Sequence, residues 1–478
     1  MKMKKIVIIA VALLFGNACT DDFEEINVNP KAATEVPVGT LLSSAQRELT
    51  DVLTSANVNV NIFRLLTQQW AQTTYTDESR YDLVTRDIPT NIWTILYRDV
   101  LADLREAQRL ILAETNAPDA IAQNRLAILE IHEIYAWTVL VNIFGDVPYT
   151  EALDPDNVYP AYDDAEFIYN DLLERLDAAI ALLNPDAPGF GSADLIYGGV
   201  GSVESWLTFA NSLKLKLAMT IAEVAPDRAE ELVQEALPNV FTSNLDNATF
   251  NYLAAPPNTN PIWIDLVQSG RQDFVVANTL VDVMLELDDP RLEQYFSLVN
   301  NEIIGGTYGT SNSFASFSKP SARILAPDFE AVLLSYSEVE FYLAEAAVRG
   351  FDVPGTAEEH YENAIVANME YWNVPPEEIA EYLQQPAVTW DPAAANPIQQ
   401  IALQKWIALY NRGYDAWVEW RRLDYPVLPI PADAYLDAIP VRFPYPTVEQ
   451  NLNTENYNAA AAAIGGDLPS TRIFWDVD

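Results

Sequence analysis

The 478-residue chain contains one cysteine, Cys19, and two histidines, His132 and His360. A lone cysteine excludes any disulfide within the chain and any thiolate metal cluster, so packing alone must hold the body together. Two histidines leave little scope for a multi-histidine metal centre or a histidine triad. His132 lies in an apolar stretch and reads as a hydrogen-bonded core residue, and His360 as a surface or packing residue. Basic residues are scarce as well: 27 Lys+Arg stand against 69 Asp+Glu, a net charge of −42. Such a chain repels nucleic acid and anionic head groups. Gly-x-Ser-x-Gly, His-Glu-x-x-His and phosphate-loop patterns are all missing. The cluster Gly198-Gly199-Val200-Gly201 lacks the third spaced glycine of a dinucleotide loop and follows no strand. No cofactor is expected. Carboxylates are so numerous that chance pairs abound, and none stands out as a glycosidase couple. Asp288-Asp289-Pro290-Arg291 reads as a helix-end turn with a local ion pair rather than a cation site.

What is present begins with the leader. Lys2, Lys4 and Lys5 precede an apolar run from Ile6 to Phe15, too short for the ~20 residues a membrane span needs. Gly16-Asn17-Ala18 then turns small and polar. This is the pattern of a secretory signal over residues 1–18, with Cys19 placed to become an acylated N-terminus. A plain signal peptide with an incidental cysteine is the alternative. Without the three leader lysines the net charge is −45. Four carboxylates follow the cysteine closely, at Asp21, Asp22, Glu24 and Glu25. Residues 19–40 read as acylated N-terminus and tether, reaching at most ~70 Å when extended.

Residues 41–478 read as one all-α domain with long irregular loops. Leu41, Leu42, Ala45, Leu49, Val52 and Leu53 form one apolar stripe at helical spacing. Trp93, Tyr97, Val100, Leu104, Ala107 and Ile111 form another. Leu126 to Ile143 is apolar nearly all round, as in a helix buried on most sides, and Gly145 and Pro148 end it. Further helices are expected near 162–183, 203–224, 273–286, 335–349, 357–373, 397–412 and 414–422. Strand alternation is nowhere sustained. A faint repeat aligns Ala165-Glu166 and Tyr169 with Ala357-Glu358 and Tyr361, each after a glycine-ended helix, in the manner of tetratricopeptide hairpins. The loops are Ala254–Pro261, the Gly/Ser-rich stretch 305–318, and Pro426–Pro446 with six prolines in 21 residues. Prolines so dense preclude regular hydrogen-bonded structure.

Aromatic residues are plentiful: 11 Trp, 23 Tyr and 18 Phe. Rings on exposed loops offer apolar faces to sugar rings or peptide side chains, with neighbouring polar groups supplying directed hydrogen bonds. The loop set is Tyr75, Arg80, Tyr81, Trp93, Trp263, Tyr308 and Phe314. Each ring has the competing role of pinning its own loop, and Trp93, at helical spacing from Tyr97, has the strongest claim to the core.

Several motifs in order carry a resemblance. They are Cys19 with its acidic tail, Asn29-Pro30, Asn91-x-Trp93-x-x-x-Tyr97, and Phe144-Gly145-Asp146-Val147-Pro148-Tyr149. Next come Trp206-x-x-Phe209-Ala210-Asn211-Ser212-Leu213-Lys214 and Asp289-Pro290-Arg291-Leu292. Ala416-Trp417-x-Glu419-Trp420-Arg421-Arg422 with Tyr425-Pro426 is the most specific. Ile439-Pro440-Val441-Arg442-Phe443-x-Tyr445-Pro446-x-x-Glu449 and Phe474-Trp475-Asp476 close the series. The chain resembles SusD/RagB-type outer-membrane lipoproteins, the nutrient-binding partners of TonB-dependent transporters. The resemblance implies a tetratricopeptide-like helical-hairpin superhelix, lipid-anchored at Cys19 in a bacterial outer membrane and facing the exterior. It also implies a SusC-like TonB-dependent partner and a loop-built site for an oligosaccharide or peptide. The ligand residues it implies are Arg80, Tyr81, Trp93, Trp263 and Tyr308. Arg421, Arg422, Arg442 and Glu449 read as scaffold, locking proline-fixed backbone. The leading expectation is a non-catalytic surface receptor. A lipid-anchored carboxylate glycosidase and a structural protein-binding lipoprotein are the alternatives.

Overall fold

The computed structural model describes residues 36–114, 119–199 and 201–477. The leader, Cys19 and the acidic run behind it, on which the anchoring expectation rests, lie outside the described residues.

The first stripe becomes helix α1 (Val38–Thr54), with Leu41, Leu42, Ala45, Leu49 and Val52 buried. The second is interrupted. Helix α2 (Ile88–Thr94) runs into a π-helical segment, Ile95–Leu101, before α3 (Ala102–Glu114). That wider turn rotates the buried face, so Leu96, Val100 and Leu101 point inward while Tyr97 is only partly covered. The all-round apolar stretch is α4 (Ala120–Phe144), opened by Asp119, whose carboxylate accepts the Ala122 N–H at 2.9 Å. Gly145 closes it at φ +77°, a conformation that strains any side-chain-bearing residue.

Helices α5 (Ala165–Leu182), α6 (Ser202–Thr220) and α7 (Pro226–Ala236) follow, then α8 (Asn278–Glu286). The C-terminal half holds α9 (Tyr336–Arg349), α10 (Ala357–Tyr371), α11 (Pro376–Leu383), α12 (Pro397–Ala408) and α13 (Gly413–Leu423). Two short helices, α14 (Thr447–Leu452) and α15 (Thr454–Ala463), end the series. Consecutive helices pack as pairs, α4 with α5, α6 with α7, α9 with α10 and α12 with α13. The pairs stack through α5 on α6, α6 on α9 and α9 on α12. This is the tetratricopeptide-like arrangement, and the weak internal repeat falls within it. Tyr169 and Tyr361 are both buried, as are Leu173 and Ile365 four residues on. Capping boxes start α9 at Ser335/Glu338 and α10 at Thr356/Glu359, satisfying N–H groups that the helix leaves unpaired.

Four short strands depart from the expectation. β1 (Trp70–Gln72) pairs antiparallel with β3 (Phe274–Val276), and β2 (Ala248–Phe250) with β4 (Ala331–Leu334). Phe274–Val276 was expected to be helical. Pairing with β1 takes these residues instead, and the helix starts only at Asn278. Strands of three or four residues are too short for alternation to register.

The proline-rich tail is held by arginines, as the motif reading expects. Arg421 donates to the carbonyls of Val441 and Asn142 at 2.6 and 2.9 Å, and Arg442 donates to the Phe144 carbonyl at 3.1–3.2 Å. Phe443 N–H reaches the Ile143 carbonyl at 2.8 Å. The irregular chain is thereby tied to the end of α4. Asp289 and Arg291 form a fully buried ion pair at 2.6 Å, with Asn368, Gln404 and Tyr382 around it, the structural role expected.

Candidate ligand-binding cleft

The β1–β3 pair is the frame on which the irregular loops are hung. Beyond β1, Thr73 N–H bonds the Asp273 carbonyl at 2.9 Å, joining the chain after β1 to the chain before β3. The Gly/Ser stretch runs alongside: Gly306 N–H bonds the Val276 carbonyl, and Val276 N–H bonds the Ser318 carbonyl. Asn312 is the clamp. Its buried amide nitrogen lies 2.8–3.0 Å from the carbonyls of Gln72, Thr307 and Thr310.

Between this frame and the end of α1 lies a cleft of about 290 Å³, lined by Ala56–Asn59, Gln72–Tyr75, Arg86, Asp265, Leu266, Arg271, Asp273 and Phe274. Tyr75 stands at its mouth with 66% of its surface exposed. It has no hydrogen-bond or ring partner among the described residues. Around it the polar groups are held in place. Gln72 donates to Glu78 at 2.5 Å and accepts from Ser79 N–H at 2.9 Å, and Glu78 in turn pairs with Arg86. Arg271 is exposed, its nearest carboxylate Asp273 at 3.6 Å, leaving guanidinium donors free. Asn57 accepts from both the backbone and side-chain nitrogens of Asn59, at 3.0 and 2.8 Å. Asp265 accepts from the Ser55 hydroxyl and the Ala56 N–H, both at 3.1 Å, and burial pushes its carboxyl upward against those bonds. That makes it an anchor for the end of α1. The cleft thus offers one unpartnered ring, several amides and hydroxyls, and a loosely engaged guanidinium.

Of the seven residues singled out from sequence, only Tyr75 lines this cleft. Trp263 is half-buried, just ahead of the π-helical turn Ile264–Gln268 that carries Asp265 and Leu266 to the wall. Arg80 is turned aside, donating to the Gly309 carbonyl at 2.9 Å and facing Asp433 at 3.5 Å. Phe314 is half-buried with the Lys319 ammonium 5.0 Å over its ring. Three residues lie inside the body: Tyr81 and Tyr308 contrary to the loop-surface expectation, and Trp93 in the core that its helical spacing from Tyr97 favours. Tyr81 is buried, which pushes its phenol up to about 12. Tyr308 is buried and donates to the Leu65 carbonyl at 2.7 Å. Trp93 packs edge-on to Phe144 and against Tyr97 and Tyr162. These rings gain more by leaving water against neighbouring side chains than by waiting for a ligand. Asn57, Asn59, Arg86, Arg271 and Asp273 escaped the sequence reading. The one local signal was the Asn-Val alternation from Asn57 to Asn61, too short to interpret.

A stack of helical pairs with a loop-built polar cleft defines a class, that of helical scaffolds which present a binding surface. More specifically, the chain belongs to the SusD-like family described as starch-binding and associating with the outer membrane, which it matches over residues 30–446. It is similar in structure to a chitin-binding protein, with a TM-score of 0.81 at 27% identity, covering 92% of this chain and all of that one. A chitin-binding SusD homologue from Flavobacterium johnsoniae gives 0.78 at 25% identity, covering 92% and 98%. A SusD homologue from Bacteroides uniformis gives 0.77 at 26% identity, covering 92% and 99%. No curated protein matches the sequence.

Proposed function

We propose that this protein is a non-catalytic receptor that binds an oligosaccharide in the Tyr75 cleft. In this reading it is a lipoprotein anchored through Cys19 at the outer face of the outer membrane, and it passes its ligand to a SusC-like TonB-dependent transporter. The observation that carries the binding role is the unpartnered, two-thirds-exposed ring of Tyr75 beside fixed amides and Arg271. A ring in that position stacks on a sugar face and releases water, while Asn57, Asn59, Thr73 and Thr74 match ring hydroxyls or an acetamido group. Chitin-binding relatives make chitooligosaccharides the first probes and the family description makes maltooligosaccharides the second. A peptide ligand is the other occupant to test.

Titration calorimetry with these probes checks the reading. Tyr75→Ala weakens binding by about 1–3 kcal/mol with no change in melting temperature. Binding that survives Tyr75→Ala places the site elsewhere, and any turnover of the probe overturns the receptor role.

A further inference from the structure

The two histidines have opposite hydrogen-bond environments. His132 Nδ1 lies 2.9 Å from the Ile128 carbonyl, and its Nε2 lies 3.0 Å from the Gln46 amide nitrogen. One acceptor and one donor suit a neutral ring with its proton on Nδ1. His360 is placed between two acceptors. Its Nδ1 is 2.6 Å from the Glu340 carboxylate, and its Nε2 is 2.6 Å from the Pro354 carbonyl. A neutral imidazole has one N–H and cannot donate to both, so with Glu340 as a carboxylate only the imidazolium makes both contacts.

We propose that protonated His360 is a pH-sensitive clasp holding the 350–356 loop between α9 and α10. The loop is a junction between helix pairs. Asp352 N–H reaches Glu230 of α7 at 3.2 Å, and Gln234 donates to the Asp352 carbonyl. Arg349, at the end of α9, reaches Glu223 at 3.0 Å. The groups around His360 all favour its cationic form. Glu340 faces it from α9, Glu359 from α10 and the Pro354 carbonyl from the loop, while Tyr336 and Asn363 hydrogen-bond the Glu340 carboxylate. Glu340 is itself buried, and His360 is its one cationic partner within ion-pair distance among the described residues. Losing the proton therefore breaks the loop contact and leaves a buried carboxylate uncompensated. Glu340 and the Pro354 carbonyl hold the ring's affinity for its proton above the ordinary value, against the opposing effect of burial. A folded-state midpoint raised in this way gives stability that is complete below the unfolded midpoint of about 6.5 and is lost as pH rises through the folded one.

With only two histidines, ring NMR on the full chain reads each directly. The expected result is one ring titrating above 6.5, assigned to His360 by its loss in His360→Gln, while His132 stays neutral across that window. Hydrogen exchange of residues 350–356, corrected for intrinsic rate, speeds severalfold on going from below to above the His360 midpoint. Glu340→Gln keeps an acceptor but removes the charge, so the midpoint falls and the pH step in loop exchange moves to lower pH with it. A His360 midpoint at or below 6.5, or a pH step unchanged in Glu340→Gln, overturns the clasp.

Discussion

Glu419 stands 2.7 Å from both Lys405 and Arg422 and accepts the Tyr342 hydroxyl at 2.7 Å, all of them buried. Arg422 also pairs with Glu345 at 2.5 Å. Removing the shared anion leaves two buried cations competing for Glu345, so Glu419→Gln costs about 3–5 kcal/mol in denaturant unfolding at neutral pH. Lys405→Met costs less, because that ammonium is already penalised: burial holds it at about 8 rather than 10.5. Between those values the unfolded chain binds more protons than the folded one, so the Lys405 contribution raises stability as pH climbs through the window. Unfolding midpoints measured across it show that rise in the native chain and lose it in Lys405→Met. The motif around Glu419 was legible in sequence as scaffold. Its partners on α9 and α12 were not, since the separation between Glu345 and Arg422 is closed only by folding.

At the level of elements, helix existence followed from apolar spacing, and the failures have identifiable causes. Helix α7 carries Ala229, Leu232, Val233 and Ala236 at helical spacing, all buried, so its signal was present and went unread. The strands had no such signal, because β1 and β3 exist only through each other. Contacts between elements also explain residues that local propensity does not. Gly413 opens α13 where it meets the short helix Phe63–Leu66, and a Cβ there would lie 2.4 Å from Arg64 N and 2.8 Å from the Phe63 carbonyl carbon. Both are backbone atoms that cannot swing aside. Gly413→Ala therefore costs about 1–3 kcal/mol through displacement of α13, measured as a lowered unfolding midpoint without loss of helical circular dichroism.

For the whole molecule, the proposed anchor and partner make a distinct prediction. Cys19→Ser releases the protein from membranes into the soluble fraction with an unchanged melting temperature, because the described body is held by its own packing. In mild detergent the native form co-purifies with an outer-membrane barrel protein, and its absence from pull-downs counts against delivery to a transporter. The all-α class, the helical pairs and the arginine-braced tail were written into the sequence, because periodic burial and glycine or proline punctuation act over a few residues and survive without tertiary context. Which aromatic rings face water was not. A tyrosine in a loop has an apolar body and a polar tip, so it serves equally as an anchor or a platform. Only the packing of β1 against β3 and the course of the 305–318 loop turned Tyr81 and Tyr308 inward and left Tyr75 at the mouth of a cleft.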